Sequence, residues 1–201
     1  MTKHVAVLMG GWSSEREVSL RSGKACADAL ERRGYQVSRI DVKRDIAAVL
    51  SDLRPDAALN VLHGSPGEDG TLQGVLEILG IPYSHSGVAA SAVAMRKDMA
   101  KTLLKAGGVP VPGGGVFGRR EVAAAHVMPP PYVIKPVAEG SSVGVFIVQQ
   151  DHAHPPQELT REDWSFGEEV LVEPFIPGKE LTCAVIGDRA LGVIEIVPAV
   201  R

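Results

Sequence analysis

The chain has 201 residues, 45% hydrophobic and 22% charged, with a formal net charge of −3, enough to bury one core or two small ones. With no lysine/arginine block and only 4% aromatic residues, it lacks both a basic nucleic-acid surface and a base-stacking platform. Its apolar runs fall short of the roughly 20 residues that cross a bilayer, and Val5–Met9 is too brief for a signal-peptide core.

Val5–Met9 is a short aliphatic run ending at Gly10-Gly11, which reads as a buried strand followed by a loop. The next segment is predicted to be a helix whose apolar face carries Val18, Ser22, Ala25, Cys26, Ala29 and Leu30. Ser14, with Glu17 three residues on, has the pattern of a capping box, and Gly34 stops the helix. A strand over Tyr35–Asp41, a helix near Arg44–Leu53 and a strand over Asp56–Leu62 follow. The loop His63–Gly70 leads into an amphipathic helix over Thr71–Leu79. This alternation predicts a parallel sheet with helices on both faces, with ligands bound off the carboxyl ends of its strands. Both glycine-bearing loops fall on that edge, so Glu15 and His63 are expected to face one crevice.

The character changes near residue 88. Two helices, Val88–Met95 and Asp98–Ala106, precede a glycine- and proline-rich passage, Gly107–Gly115. Short strands are predicted over Tyr132–Lys135, Gly144–Val148 and Val170–Glu173. Two more, Glu180–Ile186 and Ala190–Val197, meet at the hairpin signal Gly187-Asp188. No closing helix follows the last strand, so the ending reads as an interruption. The expected fold is α/β: an N-terminal parallel sheet over 1–88, a small α+β unit over 89–172, and the first strands of a third unit over 173–201. Cys26 and Cys183 are far apart in apolar patterns, which predicts two reduced core thiols in a cytoplasmic protein.

Four segments carry chemistry. Gly10–Glu17 has too few glycines for a dinucleotide fingerprint. Glu15 stands at a helix N-terminus, where the dipole favours its ionised form, and it suits either plain helix-end electrostatics or a ligand's ammonium. His63–Thr71 packs three glycines and a proline into a loop, so that backbone can approach a ligand; its His63 becomes a site candidate. Glu68 and Asp69 could bind metal, but they fit better as caps of the next helix. Lys135 ends a strand and is followed by the small residues of Glu139–Gly144. Backbone N–H groups of such a loop can wrap phosphate oxygens, although a simple hairpin turn is also possible. No Walker triplet or following helix is present. Lys97, at a helix start, opposes the dipole, which hints at a role beyond stability, and Glu173–Glu180 is a proline-stiffened connector with acids at both ends.

Together, G-G-x-S-x-E-R-E-V-S at 10–19, H-G-x-x-G-E-D-G-T-L-Q-G at 63–74, V-I-K-P at 133–136 with E-G-S-S-V-G at 139–144, and E-x-F-I-x-G-x-E at 173–180 resemble the D-alanine–D-alanine ligase branch of the ATP-grasp superfamily. The resemblance runs in order along the whole chain. It implies ATP-dependent ligation of two D-alanines through an acyl phosphate, for peptidoglycan. By resemblance, Glu15 holds the ammonium of the first D-alanine and communicates with Ser141, and His63 lies near the acyl-accepting centre. Lys97 and Lys135 would lie on the ATP phosphates beneath the Ser142 backbone. Glu173 and Ile176 would offer main-chain groups to adenine, Phe175 a planar apolar contact, and Glu180 a carboxylate to the ribose. The resemblance also implies a homodimer formed through the N-terminal domain, and Mg²⁺ ligands beyond position 201. Residues 1–201 alone are therefore expected to lack ligase activity. Another ATP-grasp ligase and a non-catalytic nucleotide-binding protein remain open from the residues themselves.

Overall fold

A computed structural model describes residues 2–197. The first sheet has three parallel strands, β1 (His4–Gly10), β2 (Gln36–Val42) and β3 (Ala57–Asn60), in the order β2-β1-β3. Alternation along β1 divides two cores. Ala6 and Leu8 join Ile40, Val42, Leu50, Leu72 and Leu76 on the face covered by α2 (Ile46–Leu53) and α3 (Thr71–Leu79). Val7 and Met9 point to the other face, against Ala27 of α1 (Arg16–Arg32). The expected parallel sheet covered on both faces is thus what forms.

The face α1 buries differs from the one expected. Ser19, Gly23 and Ala27 are its buried residues, while Val18 is exposed. The reason is close approach: a Cβ on Gly23 would stand 2.5 Å from Met9 Cβ. Small residues let the helix lie directly on β1, and this outweighs the loss of a larger apolar stripe. The capping box is also replaced. Glu15 itself is the N-cap, with no side-chain cap. The Ser13 hydroxyl accepts the Glu15 N–H (3.2 Å) and donates to the His63 carbonyl (2.7 Å).

After α4 (Val88–Met95) and α5 (Lys97–Ala106) comes an antiparallel sheet in the order β4-β7-β5-β6. Its strands are β4 (Gly115–Gly118), β5 (Tyr132–Pro136), β6 (Phe146–Val148) and β7 (Glu169–Pro174). Tyr132, Ile134, Val170 and Val172 form one face of this sheet and pack on Val122 and Leu159, from α6 (Arg119–Ala124) and a 3-10 turn at Gln157–Thr160. The sequence pattern did not reveal β4, α6 or that turn. Gly115–Gly118 is flanked by glycines and becomes a strand only because β7 pairs with it, Gly115 opposite Val172. β7 runs through Pro174, so one strand spans both sides of the expected 172/173 boundary. The hairpin β8 (Glu180–Ile186) and β9 (Arg189–Ile196) forms at Gly187-Asp188 as expected, and all its residues are exposed. Cys183 is therefore exposed and Cys26 only half-buried, both as free thiols, so neither is a core residue.

Candidate functional site

The carboxyl ends of β1 and β3 bring the first two glycine-bearing loops together. Glu15 caps α1 beside Gly64, whose left-handed φ of +64° places an added Cβ 3.1 Å from Ser13. The Glu68 carboxylate accepts the Gly64 N–H at 2.8 Å and lies 3.9 Å from His63 Nδ1. Glu68 thus stitches its own loop, and Asp69 alone takes up the N-terminal N–H of α3, from Thr71 at 2.9 Å. Glu68 therefore does not cap α3, because the two carboxylates bond opposite ends of the loop. His63 Nε2 is buried with no hydrogen-bond partner among the described residues.

The loop 139–144 reaches this crevice from the second sheet. The Ser141 hydroxyl donates to Glu15 Oε1 at 2.5 Å, and a Cβ on Gly140 would lie 3.6 Å from Glu15 Oε2. Ser141 and Ser142 both hold left-handed φ values, 50° and 58°. That region is uncommon for residues with a side chain, and it turns the 139–144 backbone sharply between the strands.

On the other side of the loop stand the lysines. Lys97 Nζ donates to the Glu139 carbonyl. Burial, reinforced by the neighbouring Lys135 cation, pulls the Lys97 ammonium below its ordinary pKa, while the Glu139 and Glu173 carboxylates oppose that shift. Burial pushes the Glu139 carboxyl upward; Lys97 works against this, and the Glu15 charge adds to it. Lys135 Nζ donates to Glu173 Oε2 at 2.7 Å, and Lys101 Nζ donates to the other oxygen. Glu173 is only 4% exposed. Burial acts to raise its carboxyl, but the hydrogen bonds from Lys101 and Lys135 prevail and hold it below the usual carboxylate range.

Phe175 is half-buried, with its N–H donated to Pro131. Ile176 is exposed, and Glu180 opens the exposed hairpin. The structure therefore gathers Glu15, Ser141, Lys97, Lys135 and Glu173 around one loop and leaves Ile176 and Glu180 apart from them. Lys101, Glu139 and His85 were not singled out from the sequence. The first carried a signal, since Lys97 and Lys101 are one turn apart on the same helix face. His85 carried none. A cavity of about 490 Å³ is lined by Glu68, His85, Ser91, Lys97, Glu139 and Gly140, and it runs from the first sheet's loops to Lys97. No group of three or more His, Cys, Asp or Glu residues among the described residues could hold a metal ion.

A parallel α/β unit whose Glu15 meets the serine-glycine loop of an antiparallel sheet, with Lys135 on that sheet and Lys97 on the helix beside it, is the arrangement of an ATP-grasp protein. The family described as "D-ala D-ala ligase N-terminus" matches residues 48–86, and that described as "D-ala D-ala ligase C-terminus" matches 118–201. The chain is 69% identical over 199 residues to a D-alanine–D-alanine ligase of Rhodopseudomonas palustris (strain BisA53), covering 99% of this chain and 65% of that protein. It is 71% identical over 199 residues to the ligase of Afipia carboxidovorans, with the same coverage. The solved structure of the D-alanine–D-alanine ligase from Bacillus anthracis complexed with ATP superposes with a TM-score of 0.79 at 30% identity, covering 100% of this chain and 68% of that one. The chain belongs to the D-alanine–D-alanine ligase family. It spans about 65% of the length of the curated relatives it matches.

Proposed function

We propose that this chain forms the first-amino-acid cradle and much of the phosphate cradle of an enzyme that joins two D-alanines at the expense of ATP, for peptidoglycan. The observation that carries this reading is the loop 139–144. At one end it touches the carboxylate of Glu15 through Ser141, and at the other it receives Lys97 beside Lys135. A small zwitterion and a polyphosphate would thus meet across a few residues of backbone.

In the proposed reaction a carboxylate oxygen of the first D-alanine attacks the γ-phosphorus of ATP, and ADP leaves. The amine of the second D-alanine then attacks the acyl carbon, and inorganic phosphate leaves with the electron pair. Glu15 holds the first substrate's ammonium, and Ser141 fixes the Glu15 rotamer. His63 is assigned to the acyl-accepting centre; its buried ring Nε2 has no hydrogen-bond partner among the described residues, which leaves that nitrogen uncommitted. Lys97 and Lys135 neutralise phosphate oxygens beneath the Ser142 backbone, and such positioning and charge neutralisation account for most of the rate in phosphoryl transfer. Glu173, Phe175, Ile176 and Glu180 are assigned to the nucleoside, with main-chain groups of Glu173 and Ile176 on adenine. Mg²⁺ belongs to the family's chemistry, but the described residues hold no group of three or more His, Cys, Asp or Glu that could bind it.

The units 1–88, 89–172 and 173–201 are read as amino-acid-binding, central and nucleotide-closing parts; separate cores in the first two support that division. No helix among the described residues is long and apolar enough to cross a membrane. A cytoplasmic homodimer joined through the first unit is the assembly we assign, and light scattering tests it. The deciding experiment joins residues 1–201 to the carboxyl-terminal segment of the R. palustris relative and measures ADP release. Release that depends on D-alanine, with dipeptide formed in equal amount, is the expected result. Release indifferent to D-alanine, or driven by other amino acids alone, would sink the proposal.

A further inference from the structure

We propose that Lys101 is a positioning residue that keeps Lys135 available to an anionic ligand by taking over half of Glu173. The inference rests on the nucleotide-binding reading above. Its basis is the register of the second sheet. Val133 pairs with Glu173 and Lys135 with Leu171, so Lys135 and Glu173 are diagonal neighbours on one face, within reach of a long side chain. That face is the one opposite Tyr132, Ile134, Val170 and Val172. It looks towards α5, which presents Lys97 and Lys101 one turn apart. Like charges at this spacing repel, so each needs an acceptor. Lys97 finds the Glu139 carbonyl, and Lys101 finds Glu173 Oε1 together with the Gly113 carbonyl at 3.1 Å.

The consequence is a matter of charge and geometry. Glu173 is buried and offers two oxygens, each occupied by a different lysine. Two ammonium groups around one carboxylate leave a net charge of one positive unit. The partly exposed partner is Lys135, with 32% of its side chain accessible, against 19% for Lys101. The buried carboxylate is thus largely satisfied from the α5 side, and Lys135 can turn part of its charge to a phosphate. Without Lys101, the buried carboxylate has only Lys135 to neutralise it. A phosphate would then compete with Glu173 for the same ammonium, because an unpaired buried charge is the costlier state.

The test measures binding of ATP and of adenosine to the chain, each with magnesium chloride present, by calorimetry. Lys101→Met is expected to weaken ATP binding about tenfold, a coupling usual for residues sharing one partner, and to leave adenosine binding unchanged. Lys101→Arg is expected to retain ATP affinity. The decisive arm is Lys101→Met combined with Glu173→Gln: removing the competing carboxylate should return ATP affinity to within about threefold of the starting value. If Lys101 only packs α5 on the sheet, the two substitutions add and the double variant binds worst, which overturns the proposal. ATP affinity unchanged in Lys101→Met but lost in Lys135→Ala overturns it too, while leaving the nucleotide reading intact. ATP affinity unaffected by Lys135→Ala overturns both. Thermal melts of each variant separate lost binding from lost folding.

Discussion

The hydroxyl of Ser141 and the carboxylate of Glu15, 126 positions apart in sequence, share a hydrogen bond of 2.5 Å. It ties the loop between β5 and β6 to the N-terminus of α1, and so ties the two sheets at the point where both would meet a substrate. Because Ser141 is exposed, the bond contributes little to global stability. Ser141→Ala should leave the melting temperature nearly unchanged, within about 0.5 kcal/mol as for other surface substitutions. In the protein carrying the R. palustris carboxyl-terminal segment it should raise the KM for D-alanine. A melting temperature that falls steeply would assign the bond to the fold instead.

Glu15→Gln separates two readings of one residue. As the partner of an ammonium, Glu15 is needed charged, and the variant should lose use of the first amino acid while ATP affinity holds. As a helix cap, Glu15 makes no side-chain cap hydrogen bond, so α1 should survive. A drop in helicity by circular dichroism would contradict that.

Lys135→Ala is expected to weaken ATP binding about ten- to a hundredfold, the range for losing one charged contact to a ligand of this kind. Glu173 keeps Lys101 as a partner, so the fold should persist. Equal affinity for ATP in the variant and the original would remove Lys135 from the phosphate site.

Gly23→Ala reverses an ordinary expectation. Alanine in a helix usually stabilises by about 1 kcal/mol over glycine. Here the new Cβ would sit 2.5 Å from Met9 Cβ in the buried contact between α1 and β1. Overpacking of that kind costs about 1–3 kcal/mol, so the net effect should be destabilising, by several degrees in Tm. A higher Tm would show that α1 can shift freely on the sheet.

The acid limb of stability should depend on Glu173. Its folded pKa lies below the unfolded value of 4.5, so the unfolded state binds its proton first as pH falls. The stabilisation is complete above the unfolded pKa and is lost as pH descends through the folded one. Glu173→Gln should be less stable at neutral pH and lose less on acidification below about 4.5, the ordinary carboxylate region. Parallel stability curves for the two proteins over that range would refute this.

Much of the architecture was readable from local pattern. The aliphatic run at 5–9, the glycines at 34 and 187 and the apolar spacing of 71–79 mark elements whose periodicity is their own. β4 was not readable, because Gly115–Gly118 has no strand pattern until β7 lies beside it. The packed face of α1 was not readable either, since a helix resting closely on a strand selects small residues, and apolar spacing alone points to larger ones. Among the site residues, Glu15, Ser141 and Lys135 stood out through motifs, and Lys97 through its place at a helix start. Lys101 and Glu139 did not: Lys101 stands one turn from Lys97 and Glu139 opens the serine-glycine segment, but the partners that give them a role lie on other elements.

The linear order of residues by itself determined which chemical groups exist and which local elements can form: helix stops, hairpin turns, a glycine-bearing loop after each of two parallel strands, and lysines at a helix start and a strand end. Tertiary packing alone decided which of those groups share charge. Glu173 becomes the common partner of Lys101 and Lys135 only because β5 and β7 pair in one register and α5 lies across that face. Electrostatic interaction falls with distance through space and is strengthened by burial, and neither quantity can be read along a chain in which the partners stand 72 and 38 positions apart.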